Sequence, residues 1–301
     1  MAAIGAMYRR HRPPEDLVAF AQGIERLGFD ELWVVEDCFW AGGMSAAAVA
    51  LATTERIAVG YGIAPAVARN AAIAAMDLAG LARMFPGRLV VGIGHGVTDW
   101  MRQIGALPRS QLAALEETVD AVRRLFMGER VDIDGAHVRL RDVELVFPPA
   151  AVPPVLVGAT GPKSLDVAAR VSDGLMLPEG SSPEFVHAAI ARAGSPSECA
   201  VYVLFAIDDD GDAARRAVAN GVDQFAPGAV DQRLALLGVD HEVAVNDRAR
   251  SFAVAGTPAD CAAAIARLSA AGASSVILVP QHNDDEQLEL AARELLPLVR
   301  G

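Results

Sequence analysis

Residues 154–177 read PVLVGATGPKSLDVAARVSDGLML. A short apolar run, Val155–Gly158, meets a glycine-bearing turn, then a helical stretch, Lys163–Val171, then a second apolar run, Gly174–Leu177. Both runs are continuously apolar rather than alternating, which is the pattern of parallel strands covered on both faces. Two such strands joined through a helix imply a right-handed crossover in a parallel sheet.

The same unit recurs in both directions. Upstream lie Ala2–Met7, Glu31–Glu36, Ile57–Ile63 and Arg88–Gly94; downstream lie Ala200–Ile207 and Ser275–Pro280, making eight candidate strands. Helical stretches separate them. Leu17, Phe20, Ala21, Ile24 and Leu27 recur at helical spacing and stop at Gly28, a left-handed cap. Leu112, Leu115, Val119, Val122 and Phe126 mark another helix, ending near Gly128. Thr257-Pro258 with Asp260 reads as an N-cap, a first-turn proline and a first-turn acid. The expected fold is α/β, a (β/α)8 TIM barrel of one domain over residues 1–301.

Two gaps are longer than the rest. Val131–Leu140, between strands four and five, carries Asp134-Gly135 at its centre and predicts a hairpin. Asp208–Ala255, between strands seven and eight, holds helix-like pieces and the polar stretch Asp240–Arg250. Both are expected as insertions into the barrel.

Composition bounds the function. At 52% hydrophobic residues and a mean hydropathy of +0.29, the 301 residues can bury a large core, which excludes disorder of the whole chain. A formal net charge of −12 argues against nucleic acid and anionic membranes as partners, since both need clustered Lys and Arg. Cys38, Cys199 and Cys261 are scattered, with neither disulfide nor zinc-ligand spacing, so no metal is expected. The N-terminal MAAIGAMYRRHRPPEDL lacks the order of a signal peptide, and no long uncharged apolar run occurs. A cytoplasmic protein acting on a small molecule is the expectation.

In a barrel of this kind, function gathers at the C-terminal ends of the strands. Strand two ends in the adjacent carboxylates Glu36 and Asp37, one directed to the mouth, where it can serve as general acid or base, and the other to a neighbouring helix; helix capping or a salt bridge such as one to Arg69 is the structural alternative. Strand three ends in Gly62, Ile63, Ala64 and Pro65, and strand four in Gly94-His95-Gly96. Glycine admits a flat ligand close to the backbone, and His95 is able to exchange a proton near neutral pH or to sit satisfied by a loop carbonyl. Strand five ends in Gly158, Ala159, Thr160, Gly161, Pro162, Lys163 and Ser164, where a helix N-terminus exposes amides to an anion such as phosphate. A tight strand-to-helix turn alone accounts for the same glycines. Cys38 has no histidine to activate it and is not read as a nucleophile.

Together these segments resemble the bacterial luciferase-like superfamily, within it the coenzyme F420-dependent branch similar to methylenetetrahydromethanopterin reductase. The resemblance covers about residues 13–300 and rests on LGFDELWVVED (27–37), TERIAVG (54–60), GRLVVGIGHG (87–96), PVLVGATGPKSLDVAARVSDG (154–174) and VAGTPAD (254–260). It implies a (β/α)8 barrel, commonly dimeric, holding an isoalloxazine or deazaflavin ring in its mouth. It implies a bulge with a non-proline cis peptide at Gly62-Ile63 behind the ring, the cofactor phosphate on Ala159–Ser164, and Gly94–Gly96 along its tail. The GIGHG stretch followed by Trp100-Met101 points to the deazaflavin branch. There are departures. Glu36-Asp37 stands where related reductases carry Asp-His, and Pro65-Ala66-Val67 replaces Asn-Pro-Tyr, although Arg69 matches.

The resemblance thus implies an oxidoreductase passing hydride between coenzyme F420 and an organic substrate, with Asp37 or Glu36 and His95 as proton handlers and a homodimer as the assembly. Two rival readings are an FMN-dependent monooxygenase fed by a partner reductase and a flavin- or deazaflavin-binding protein without turnover.

Overall fold

The computed structural model describes residues 1–225 and 248–301. Its frame is a sheet closed on itself. Strands β1 (Ala3–Tyr8), β2 (Glu31–Val34), β3 (Ala58–Pro65), β4 (Leu89–Gly94), β7 (Val155–Gly158), β8 (Gly174–Leu177), β9 (Glu198–Ile207) and β11 (Ser275–Pro280) follow one another around the barrel, all parallel. The β9–β8 and β1–β11 pairings close it. The eight strands expected from sequence are these eight, and the barrel is the TIM type.

Three boundaries differ. β2 stops at Val34, so Glu36 and Asp37 lie beyond the strand rather than in it. β3 runs on to Pro65, with a register shift against β4 between Tyr61 and Ala64. A ninth strand, β10 (Ala253–Gly256), joins the sheet by pairing with Leu204–Ile207 of β9. β9 is long enough to leave β8 at Val201 and take this new partner higher up.

Helices α1 (Leu17–Leu27), α2 (Gly43–Thr53), α3 (Ala71–Met84), α4 (Thr98–Gln103), α5 (Gln111–Phe126), α6 (Pro162–Val171), α7 (Pro183–Arg192) and α8 (Gly211–Phe225) lie in the connections. α1 buries Leu17, Phe20, Ala21 and Ile24 and ends at Gly28, whose φ of 86° is the left-handed cap anticipated above. The helix Pro258–Ala270 opens with a full capping box between Thr257 and Asp260.

The insertion after β4 is the antiparallel hairpin β5 (Val131–Asp134) and β6 (Arg139–Val143). Its turn is one step later than Asp134-Gly135: Asp134 pairs with Arg139 inside the ladder, leaving a four-residue loop, 135–138. The reason is Glu117 of α5, whose carboxylate accepts the amides of Ala136, His137 and Val138 at 3.0, 2.8 and 2.7 Å. After β9 come α8 and the helix Arg248–Phe252; most of the polar stretch 240–250 lies outside the described residues.

Two apolar layers result. One sits between sheet and helices; the other, with Trp33, Leu156, Met176, Tyr202 and Ile277, fills the barrel. At the N-terminal end of the barrel, Trp33 Nε1 donates to Glu31 at 2.6 Å and the Ser275 hydroxyl donates to the same oxygen. Burial pushes the Glu31 carboxyl up. That end is a sealed plug, which leaves the opposite end for chemistry. Among the described residues no helix is long and apolar enough to cross a membrane.

Candidate functional site

At the C-terminal end of the strands lies a cavity of about 460 Å³, within the ~300–1,000 Å³ typical of small-molecule sites. β1 contributes Met7, the loop after β2 contributes Val35, Glu36 and Asp37, and β3 contributes Gly62, Ile63 and Pro65. From β4 and its turn come Gly94, His95, Gly96 and Val97; from β7 and the start of α6 come Gly158, Ala159, Thr160 and Ser164. Trp100 of α4, Met176 of β8, Pro178 and Glu179 just after β8, and Tyr202 of β9 complete it. The glycine turn therefore shares one face with Asp37 and His95.

The floor is apolar and shaped by β3. The Gly62-Ile63 peptide is cis, at the bulge between Tyr61 and Ala64. Tyr202, buried, donates its hydroxyl to the Gly62 carbonyl at 3.0 Å. Ile63 lies against the bare faces of Gly94 and Gly158, where a Cβ would come within 2.5 and 2.6 Å of its methyls. A second non-proline cis peptide joins Cys38 to Phe39.

The α6 N-terminus forms one wall. Its N-cap, Gly161, offers no side chain, Pro162 has no amide, and Ser164 and Leu165 both turn back to the Gly161 carbonyl at 3.0 Å. The amides of Thr160, Gly161 and Lys163 have no acceptor among the described residues. Unpaired donors at the positive end of a helix suit an anion.

Glu36, Asp37 and His95 in the lining each have their own partners. Glu36 is gripped by Arg69 through both oxygens, at 2.6 and 2.7 Å, and also accepts the Tyr61 hydroxyl. The ion pair with Arg69 is thus the one anticipated for this position. Burial and the Glu36 charge push the Tyr61 phenol well up, while Glu36 raises Arg69. Asp37 pairs with Arg10 at 2.9 Å, and that guanidinium stacks 4.7 Å from the Trp40 ring centre. Trp40 meets Trp100 edge to face at 6.1 Å, so the mouth has an aromatic rim. His95 Nδ1 lies 3.2 Å from the Gln111 carbonyl and Nε2 lies 2.9 Å from the Ser164 hydroxyl. Burial lowers its imidazole below the ordinary range. Cys38 beside them has a thiol raised by burial and by the Glu36 and Asp37 charges.

Four expected residues stand apart. Ala64 faces the other side of the sheet with Arg69 and Leu78. Gly161, Pro162 and Lys163 are outside the cavity lining, and Lys163 is exposed. Glu179, Tyr202 and Met176 are lining residues that sequence reading passed over. Glu179 sits in Pro178-Glu179-Gly180, directly after strand six, and inspecting that strand's end would have found it.

The family model for luciferase-like monooxygenases matches residues 1–275. The chain belongs to that family. A luciferase-like relative of similar length is 5,10-methylenetetrahydromethanopterin reductase of Methanolobus tindarius, 26% identical over 94% of this chain and 96% of its own. In fold, the chain is similar to the coenzyme F420-dependent tetrahydromethanopterin reductase of Methanopyrus kandleri, with a TM-score of 0.82, 22% identity and coverage of 98% and 99%. It is also similar to an F420-dependent secondary alcohol dehydrogenase solved with an F420-acetone adduct, with a TM-score of 0.80, 21% identity and full coverage of both chains, 100% each.

Proposed function

We propose that this luciferase-like protein is an oxidoreductase that uses coenzyme F420, a deazaflavin, to exchange hydride with an organic substrate. One observation carries the reading. The apolar floor at Gly62-Ile63 and the uncapped N-terminus of α6 open into the same cavity. A planar ring with an anionic tail is the ligand that uses both. The relatives named above, two of them F420-dependent by name, support the choice of deazaflavin over FMN.

When bound, the deazaflavin supplies a two-electron hydride carrier that reacts poorly with oxygen. The chain's own residues do the rest. The free amides of Thr160, Gly161 and Lys163 would hold a phosphate, joined by the Ser164 hydroxyl once it turns its single proton from His95 to the anion. Tyr202 keeps the Gly62 carbonyl in place, and Ile63 and Met176 offer a dry surface for a ring. Trp100 lines the mouth and meets Trp40 beside it. A homodimer fits the exposed apolar residues Ile73, Met76 and Met84 along one face of α3, and its test is the solution mass.

The decisive experiment titrates the purified protein with coenzyme F420 and with FMN, followed by fluorescence. Saturable F420 binding with weak or absent FMN binding is expected. Tight FMN binding without F420 binding overturns the reading in favour of a flavin monooxygenase.

A further inference from the structure

We propose that Glu179 is the catalytic acid and base of this site, giving a proton to a substrate carbonyl oxygen as hydride arrives at the carbon and taking it back from the alcohol in reverse. The inference rests on the hydride-transfer reading above and adds to it the proton donor and the substrate class.

The argument is one of availability. Five groups lining the cavity can in principle move a proton: Glu36, Asp37, His95, Glu179 and Tyr202. Glu36 is held through both oxygens by Arg69 and accepts from Tyr61 as well. Asp37 is paired with Arg10 at the rim. His95 uses both ring nitrogens within the protein. Tyr202 spends its hydroxyl on the Gly62 carbonyl, and burial raises its phenol. Glu179 alone lines the cavity with no side-chain partner among the described residues; its carboxyl meets only its own backbone amide.

Its surroundings keep the acid form available. Burial raises the Glu179 carboxyl most; its own backbone amide pulls it back down, the neighbouring Asp37 charge raises it again, and Arg10 and Arg9 lower it more weakly. Tyr202, from the adjacent strand, is neutral. A carboxyl whose acid form is favoured by burial can donate a hydrogen bond into the cavity it lines.

The step balances. Hydride from a bound carrier of the deazaflavin class forms a C–H bond with both its electrons, the carbonyl π pair moves to oxygen, and that oxygen takes the Glu179 proton. An alcohol, a Glu179 carboxylate and an oxidised carrier result. The carboxylate regains its proton from solvent through the mouth. The lining of the inner cavity includes three carboxyl groups and, among the described residues, no Lys or Arg. Glu36 and Asp37 already have their arginines, so among the described lining residues no uncompensated charge faces the substrate, and the substrate class is an uncharged carbonyl–alcohol pair.

The test compares wild type, Glu179→Gln and Glu179→Asp. In the protein without cofactor, infrared titration should show one protonated carboxyl near neutral pH that is absent from Glu179→Gln. F420 affinity should stay within about twofold, while kcat for carbonyl reduction falls roughly 100-fold or more and the pH limb assigned to the acid disappears. Glu179→Asp should restore part of the rate and the limb. A variant Glu179→Gln with wild-type kcat and pH profile overturns the proposal, as does a Glu179 carboxyl already ionised at pH 6. Failure of the wild type to bind F420 overturns the cofactor reading instead, and this role with it, whatever the infrared titration gives.

Discussion

His95 Nε2 lies 2.9 Å from the Ser164 hydroxyl, tying the turn after β4 to the first turn of α6. The other ring nitrogen meets the Gln111 carbonyl at the start of α5. A carbonyl only accepts, so Nδ1 carries the proton and, in the neutral ring, Nε2 accepts from Ser164. One imidazole thereby holds three segments of the cavity wall in register.

That neutral form makes a pH prediction. Free histidine charges near 6.5, but burial lowers His95, so on acidification the unfolded chain takes up the proton before the folded one. Stability is full above the unfolded value and is lost as pH falls through and below it. His11 is shifted in the same direction, so the measurement is a difference. The urea midpoint of wild type should fall more between pH 7 and pH 5 than that of His95→Asn. Parallel curves would show that this ring's ionisation is not linked to folding.

The wall of α6 predicts where cofactor affinity comes from. Ser164 lines the cavity beside free amides, whereas Lys163 is exposed outside it. Ser164→Ala should weaken F420 binding roughly tenfold, the scale of one hydrogen bond to a charged group. Lys163→Ala should change it by less than about threefold at physiological salt, since an exposed charge is screened. Equal losses, or the reverse order, would place the anion elsewhere on the helix.

The two carboxylates after β2 should behave unequally in unfolding. Glu36 and Arg69 are 13% and 30% exposed at their side chains, and Asp37 and Arg10 are 28% and 48% exposed. Glu36→Gln leaves a half-buried guanidinium with a neutral partner and should cost roughly 2–3 kcal/mol, somewhat below the full cost of breaking a buried pair. Asp37→Asn should cost less than about 1 kcal/mol. Denaturant midpoints of the two variants, measured side by side, decide it.

The barrel was legible because parallel strands covered on both sides leave continuous apolar runs, of which SVILVP (275–280) is the plainest. β10 was not, since AVAG (253–256) is four small or short residues whose pairing depends on where β9 parts from β8. Most of the site followed from the rule that strand ends converge, which brought Asp37, His95 and Thr160 together. Glu179 escaped because strand six was read only to Leu177. Tyr202 escaped because it lies inside a strand, where sequence does not say which faces reach the mouth. That His95 has both nitrogens engaged depends on Gln111 and Ser164, 16 and 69 residues away in the chain, which no local pattern reveals.

Two glycines of the barrel separate folding from binding. A Cβ at Gly60 would enter the indole of Trp33, and that ring cannot retreat while its Nε1 is held by Glu31 at 2.6 Å. Gly60→Ala should therefore lose roughly 2–3 kcal/mol of stability by overpacking, or fail to fold. A Cβ at Gly158 meets instead the terminal methyl of Ile63 at 2.6 Å, the flexible end of a half-buried side chain. Ile63 can swing, but only into the cavity whose floor it forms, so Gly158→Ala should keep its melting temperature within a few degrees and lose F420 affinity about tenfold, or ~1.4 kcal/mol. Were Gly158→Ala to unfold like Gly60→Ala while the remaining folded fraction bound F420 normally, the floor assigned to Ile63 would be wrong.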